Sequence, residues 1–228
     1  MNKKVFYDQK LAEEWSEWVE MDNASGGREK EIYPLIREWL KKVRPCKVVD
    51  IGCGQGVCST LVGSRVKYIG IDQSEFLIER AREHYSNNNA TFKVGDADDI
   101  PLKDNSTDSI LSLWVWSHLP ELQKGAREMC RILQPNGHFL VITANPSTYN
   151  IRKTFYSTYK DYDGYLIGTF DLGGGKTLTD TNLYFHTETD MKNALLDAGL
   201  AIDEVKTFGL EDEYPGGLNI MITGRKVE

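Results

Sequence analysis

Three glycines alternate with single residues where a short apolar run ends, in Val48-Val49-Asp50-Ile51-Gly52-Cys53-Gly54-Gln55-Gly56. A strand closing on such a turn lets the backbone bend sharply and approach a ligand closely. Asp72 follows twenty residues after Gly52, at the end of the next apolar run. In a βαβ unit, a carboxylate there faces the same crevice and can accept hydrogen bonds from both hydroxyls of a ribose. These residues point to a nucleoside-containing ligand.

Two departures from the dinucleotide pattern narrow the choice. Val57 stands where GxGxxG needs its last glycine, and Asp50 precedes the turn, where a carboxylate repels a pyrophosphate. At ~4 Å and an effective dielectric near 20, such like charges cost on the order of 4 kcal/mol. A ligand presenting an ammonium or sulfonium charge is favoured instead. The alternative is that the glycines serve tight packing alone.

The elements that must hold these residues follow from hydrophobic periodicity. Leu11 to Met21, with Trp15 and Trp18, and Ile32 to Val43, with Leu35, Ile36, Trp39 and Leu40, read as helices. From Lys47 onward, short β-branched runs alternate with helical stretches, the pattern of stacked βαβ units. Strands are expected at Lys47–Ile51, Val66–Ile71, Thr91–Val94, Asp108–Leu113 and His138–Thr143. Ser74 caps one intervening helix; another carries the stripe Leu119, Leu122, Ala126, Met129 and Leu133 and is stopped by Pro135-Asn136-Gly137. Pro146 to His186 reads as irregular and holds nine of the nineteen Tyr and Phe residues. A helix with a Thr187/Asp190 capping box runs to Gly199, and the runs Ala201–Phe208 and Leu218–Arg225 pair most simply as antiparallel strands. The expected fold is a single Rossmann-like α/β domain: a seven-stranded, mostly parallel sheet with an antiparallel end strand and helices on both faces. Its parts are an N-terminal helical cap (1–45), a ligand-binding core (46–145), an aromatic-rich lid insertion (146–186) and a closing helix and strand pair (187–228).

A net charge of −7 over 228 residues gives no broad basic footprint, which argues against nonspecific binding to nucleic acid or anionic membrane. The N-terminus runs from two lysines into polar residues without an apolar leader segment, and no stretch reaches the ~20 apolar residues of a membrane helix. Cys46, Cys53, Cys58 and Cys130 form no CxxC pair and lie far from His84, His118, His138 and His186, so no metal site is expected. Reduced thiols and a cytoplasmic location fit this pattern.

The stretch VVDIGCGQG resembles motif I of the class I S-adenosylmethionine-dependent methyltransferases. Tyr68-Ile69-Gly70-Ile71-Asp72-Gln73-Ser74, Val94-Gly95-Asp96-Ala97-Asp98-Asp99-Ile100-Pro101 and Asn105 to Leu113 agree with further motifs in order and spacing. The resemblance implies S-adenosylmethionine as cofactor, lying across the carboxyl ends of the strands. By it, Asp50 and Gly52, Gly54 and Gly56 lie at the methionine and ribose parts, Asp72 and Gln73 at the ribose, and Asp96 and Ala97 at the adenine. Leu113 and Trp114 border the methionine chain, and Arg28 pairs with its carboxylate; a solvated surface arginine is the alternative. The family often has His-His-Leu after the fourth strand, where this chain reads Ser117-His118-Leu119.

Methyl transfer from a sulfonium needs a nucleophile lined up behind the methyl carbon, and positioning supplies most of the acceleration. An oxygen acceptor of high pKa also needs a general base, for which His118 and His186 are the candidates; plain packing is the alternative for each. The acceptor is expected to be a small molecule, methylated on O or N, under an aromatic lid whose rings exclude water and stabilise cations. Two rivals stand beside this reading: a protein that binds the cofactor without turnover, and a NAD-dependent oxidoreductase.

Overall fold

The computed structural model describes residues 9–25, 27–87, 89–173, 175–210, 212–214 and 216–227. Residues 1–8, read above for a leader, together with Gly26 and Pro215, lie outside that set.

Seven strands form the main sheet: β1 (Lys47–Ile51), β2 (Lys67–Asp72), β3 (Ala90–Val94), β4 (Thr107–Leu113), β5 (Leu133–Ala144), β9 (Leu200–Phe208) and β10 (Asn219–Lys226). Their order is β3-β2-β1-β4-β5-β10-β9. The first five run parallel, and β10 alone is reversed, antiparallel to both β5 and β9. The strand order reverses direction between β1 and β4, leaving a crevice above the carboxyl ends of those two strands, where open α/β sheets bind ligands.

Strand alternation divides the apolar residues between two cores. Val49, Ile51, Ile110, Phe139, Val141, Ile220 and Ile222 face the helices α5 (Leu122–Ile132) and α7 (Glu188–Asp197). Val48, Leu111, Leu140, Ile142 and Met221 face α3 (Tyr33–Val43) and α4 (Glu75–Tyr85). Local chemistry places the helix starts: the Ser74 hydroxyl accepts from the Leu77 amide, and Thr187 and Asp190 complete a reciprocal capping box. Residues 57–61 make a short 3-10 turn rather than a full α-helix after the glycines.

Two expectations are corrected. The stop at Pro135-Asn136-Gly137 is absorbed into β5: α5 ends at Ile132, Leu133 is already extended, and the pairing with β4 skips from Thr107↔Leu133 to Ser109↔His138. The segment 146–186 is not irregular. After the short helix α6 (Tyr149–Lys153) it forms a second, antiparallel sheet of β6 (Tyr156–Asp161), β7 (Tyr165–Gly173) and β8 (Lys176–Tyr184). Register shifts at Tyr156/Thr158, Gly168/Phe170 and Asp171/Gly173 break the two-residue alternation, so the apolar pattern loses its period in the sequence. Gly168 sits where neighbouring backbone crowds in, with a Cβ there only 2.1 Å from the Thr158 oxygen. The helix α1 (Gln9–Ser25) packs Leu11 and Trp15 against Leu178, Phe170 and Leu172 of this small sheet.

Candidate active site

At the carboxyl ends of β1, β2 and β4, a cavity of about 280 Å³ is lined by Gly52, Gly54, Asp72, Gln73, Asp96, Ala97, Leu113, Trp114 and His118. Eight of the residues expected at the cofactor thus meet in one place, with His118 beside them. Gly52 and Gly54 adopt φ of +72° and +54°. At Gly52 a Cβ would strike Val115 Cγ2 at 2.0 Å, whereas at Gly54 the nearest atom is Trp15 Nε1 at 3.9 Å. Gly54 therefore keeps its face of the turn open for a ligand.

The Asp72 carboxylate is held from both sides, Oδ2 accepting from the Gly54 amide and Oδ1 from the Ser74 amide, each at 2.9 Å. Burial raises its pKa, while those amide bonds pull it back. A fixed carboxylate with spare lone pairs at the crevice edge is what a ribose diol requires. Asp96 Oδ1 accepts from the Asp98 amide at 3.1 Å, which turns the loop after β3 into the same cavity.

Three expected cofactor residues, Asp50, Gly56 and Arg28, lie elsewhere. Asp50 is buried beneath the turn, because strand alternation puts it on the Val48 face, toward α3 and α4. There Oδ2 accepts from the Tyr68 hydroxyl at 2.5 Å, and Oδ1 has no hydrogen-bond partner in the described structure. Burial raises its pKa to about 7. Gly56, with φ +87°, is a packing glycine: a Cβ would sit 2.7 Å from the Phe92 ring.

Arg28 lines neither this cavity nor the next. It is buried rather than solvated, pairs with Asp22 at 2.9 Å, and lies over the rings of Trp15, Trp18 and Trp114 at 6.0, 5.4 and 5.0 Å. The three tryptophans it lies against themselves form cavity walls. Trp114 takes φ +58°, an unusual conformation for a bulky residue, and its indole donates to Asn219 Oδ1 at 3.2 Å.

A second cavity of about 120 Å³ adjoins the first, under the three-stranded sheet, and shares Trp15, Trp114 and His118 with it. Its remaining walls include Trp18, Ser117, Arg152, Tyr156, Phe170, Thr181 and Leu183. Apart from Ser117, which sits beside His118 in the turn after β4, none of these stands in a motif, although Trp18, Tyr156 and Phe170 belong to the aromatic pattern of α1 and the insert. The others come from α1, α6 and β6–β8, elements joined only by tertiary packing.

The two candidate bases separate. His118 lies between the cavities, with Nδ1 at 2.9 Å from the Asn182 main-chain oxygen. A carbonyl oxygen only accepts, so Nδ1 carries the proton and Nε2 keeps the lone pair. Burial lowers the His118 pKa, favouring this neutral form. His186 lines neither cavity; its Nε2 donates to the Leu119 oxygen at 2.7 Å, and its ring stacks on Tyr184. It joins the insert to the loop before α5, away from both cavities. Ser117, where the family often has histidine, is buried and hydrogen-bonded to Thr143 Oγ1 at 2.6 Å. Among the described residues, no group of three or more His, Cys, Asp and Glu could hold a metal ion, and no helix is long and apolar enough to cross a membrane.

Comparison with known proteins agrees with this geometry. The methyltransferase domain family matches residues 42–192. A demethylmenaquinone methyltransferase of Desulfitobacterium hafniense is 27% identical over 212 residues, spanning 85% of this chain and 81% of the relative. A tocopherol O-methyltransferase of Arabidopsis thaliana is 33% identical over 109 residues, 45% of this chain and 31% of the relative. A protein of Pyrococcus horikoshii shares the fold with a TM-score of 0.70 at 20% identity, over 88% of this chain and 90% of its own. An S-adenosylmethionine dependent methyltransferase of Mesorhizobium loti does so with a TM-score of 0.64 at 22% identity, over 85% of this chain and 96% of its own. With its family match covering most of the chain, and its glycine turn and Asp72 at the switch point of the sheet, this protein belongs to the class I S-adenosylmethionine-dependent methyltransferases.

Proposed function

We propose that the protein transfers a methyl group to a nucleophilic oxygen or nitrogen of a small molecule held in the cavity under the insert, with His118 as general base. The observation that carries this reading is the position of His118, in the wall shared by both cavities, with its proton fixed on Nδ1. When bound, S-adenosylmethionine supplies a methyl carbon made electrophilic by its sulfonium.

The chain's own residues do the rest. Asp72 would hold the ribose hydroxyls, with Gln73 beside it. Asp96 and Ala97 would meet the adenine, and Gly52, Gly54, Leu113 and Trp114 would border the methionine part. Trp15 and Trp114 form the boundary between the cavities. Their faces would exclude water and favour a neighbouring positive charge by roughly 0.5–2 kcal/mol each. The insert and α1 together would act as the lid. His118 Nε2 would take the acceptor's proton as its oxygen or nitrogen becomes more acidic on methylation. The Arabidopsis relative is a tocopherol O-methyltransferase, which supports an oxygen acceptor.

The test is transfer of radiolabelled methyl from S-adenosylmethionine across a panel of small phenols, alcohols, carboxylates and amines. O- or N-methylated product that is lost in His118→Ala supports the reading. Tight S-adenosylhomocysteine binding with no turnover on any acceptor would support the binding-only alternative instead.

A further inference from the structure

The cavity under the insert is lined by a cation whose hydrogen-bond partners among the described residues are neutral. Arg152, from α6, lines it beside Trp18, Tyr156, Phe170 and Leu183. Its Nη2 donates to two neutral acceptors, the main-chain oxygen of Leu218 and Asn219 Oδ1. Its Nε is buried without a hydrogen-bond partner. Among the described residues no carboxylate forms an ion pair with it. Burial pulls its pKa down to about 10, so the group stays charged at neutral pH.

A half-buried cation whose partners are neutral keeps much of its charge unbalanced. The place left for the missing negative charge is the cavity that Arg152 lines. The other walls are mainly apolar and aromatic, and about 120 Å³ suits a single ring system. A carboxylate remains ionised at neutral pH, whereas a simple phenol does not, and one cation does not balance a doubly charged phosphate.

We propose that the methyl acceptor is a small aromatic carboxylate, its ring between the insert's side chains, its carboxylate on Arg152 and its methyl-accepting atom toward His118. This inference rests on the acceptor site proposed above, and Arg152 becomes the residue that sets substrate class. A charge-assisted bond from the part of the guanidinium that lines the cavity would give the cation its missing partner and exclude uncharged isosteres.

The test uses the full-length protein saturated with S-adenosylhomocysteine, titrated with 4-hydroxybenzoate and, separately, its uncharged isostere 4-hydroxybenzamide. The expected result is about tenfold or greater preference for the carboxylate. Arg152→Gln should abolish that preference while leaving S-adenosylhomocysteine affinity unchanged. The wild-type comparison needs no variant, so a folding defect in Arg152→Gln does not blunt the test. Equal affinity for both probes, or binding of neither, overturns the inference. Phe170→Ala separates the two levels of the argument. If both probes bind equally and both weaken in Phe170→Ala, the acceptor site stands and only the role of Arg152 falls. If neither probe responds to Phe170→Ala, the acceptor site falls with it.

Discussion

His118 Nδ1 donates to the main-chain oxygen of Asn182 across 2.9 Å, tying the turn after β4 to strand β8 of the insert. The bond links the parallel sheet, which carries the cofactor crevice, to the small sheet that covers the second cavity. It also fixes which imidazole nitrogen can accept a proton.

His118→Ala should lower turnover by ~10²-fold or more while S-adenosylhomocysteine affinity stays within twofold. The pH dependence gives a second readout. With a pKa below 6.5, the neutral base persists into mildly acidic solution, and kcat/KM falls only as pH drops through that lowered value. The acid limb of the profile should lie below pH 6.5 in the wild type. A limb unchanged in the variant assigns it to another group.

His186→Ala should behave differently. Loss of the bond to Leu119 costs about 1 kcal/mol of stability, measured by denaturant unfolding, and His186→Gln should recover part of it. Turnover should remain within tenfold of wild type, because the ring lies outside both cavities.

Asp72→Ala removes the acceptor of the Gly54 and Ser74 amides and the expected partner of the ribose. S-adenosylhomocysteine affinity should weaken by about 1–3 kcal/mol, read by calorimetry. Wild-type affinity in this variant would refute the ribose assignment.

Asp50 makes stability depend on pH in the direction opposite to most carboxylates. Its folded pKa is raised from 3.8 to about 7, so the folded protein holds a proton that the unfolded chain has already released. Stability is then fully present below about pH 4 and is lost as pH rises toward about 7. At about 1.4 kcal/mol per pH unit, the loss is at most roughly 4 kcal/mol. Asp50→Asn should flatten this decline, seen by comparing urea unfolding at pH 5 and pH 8 in both proteins. An equal decline in the variant would place the effect in other groups.

Gly56→Ala should destabilise the fold by about 1–3 kcal/mol, since a Cβ meets the Phe92 ring and φ is +87°. Gly54→Ala meets no such wall; it should cost about 1 kcal/mol of backbone strain at φ +54° and act on cofactor affinity besides. Melting temperature and S-adenosylhomocysteine titration, measured on both variants, separate packing from binding.

Much of this protein was legible in the residues alone. The β-branched runs, the glycine turn, Ser74 and the Thr187/Asp190 box are local signals, and the backbone obeys them locally, so the sheet and its cofactor crevice follow. The position of Asp72 follows as well, because a strand end facing a glycine turn has one side on which a ligand fits. The fate of Asp50 does not, since motif position says nothing of which strand face is covered by helices. The β6–β8 sheet stayed hidden because three register shifts erase its alternation. The acceptor cavity was equally out of reach: Trp18, His118 and Arg152 lie far apart in the chain and share a wall only when α1 and the insert fold over the crevice. Local chemistry determined the glycine turn and the place of Asp72; which of His118 and His186 lines the cavities, and the neutral partners of Arg152 among the described residues, were decided by packing between distant segments.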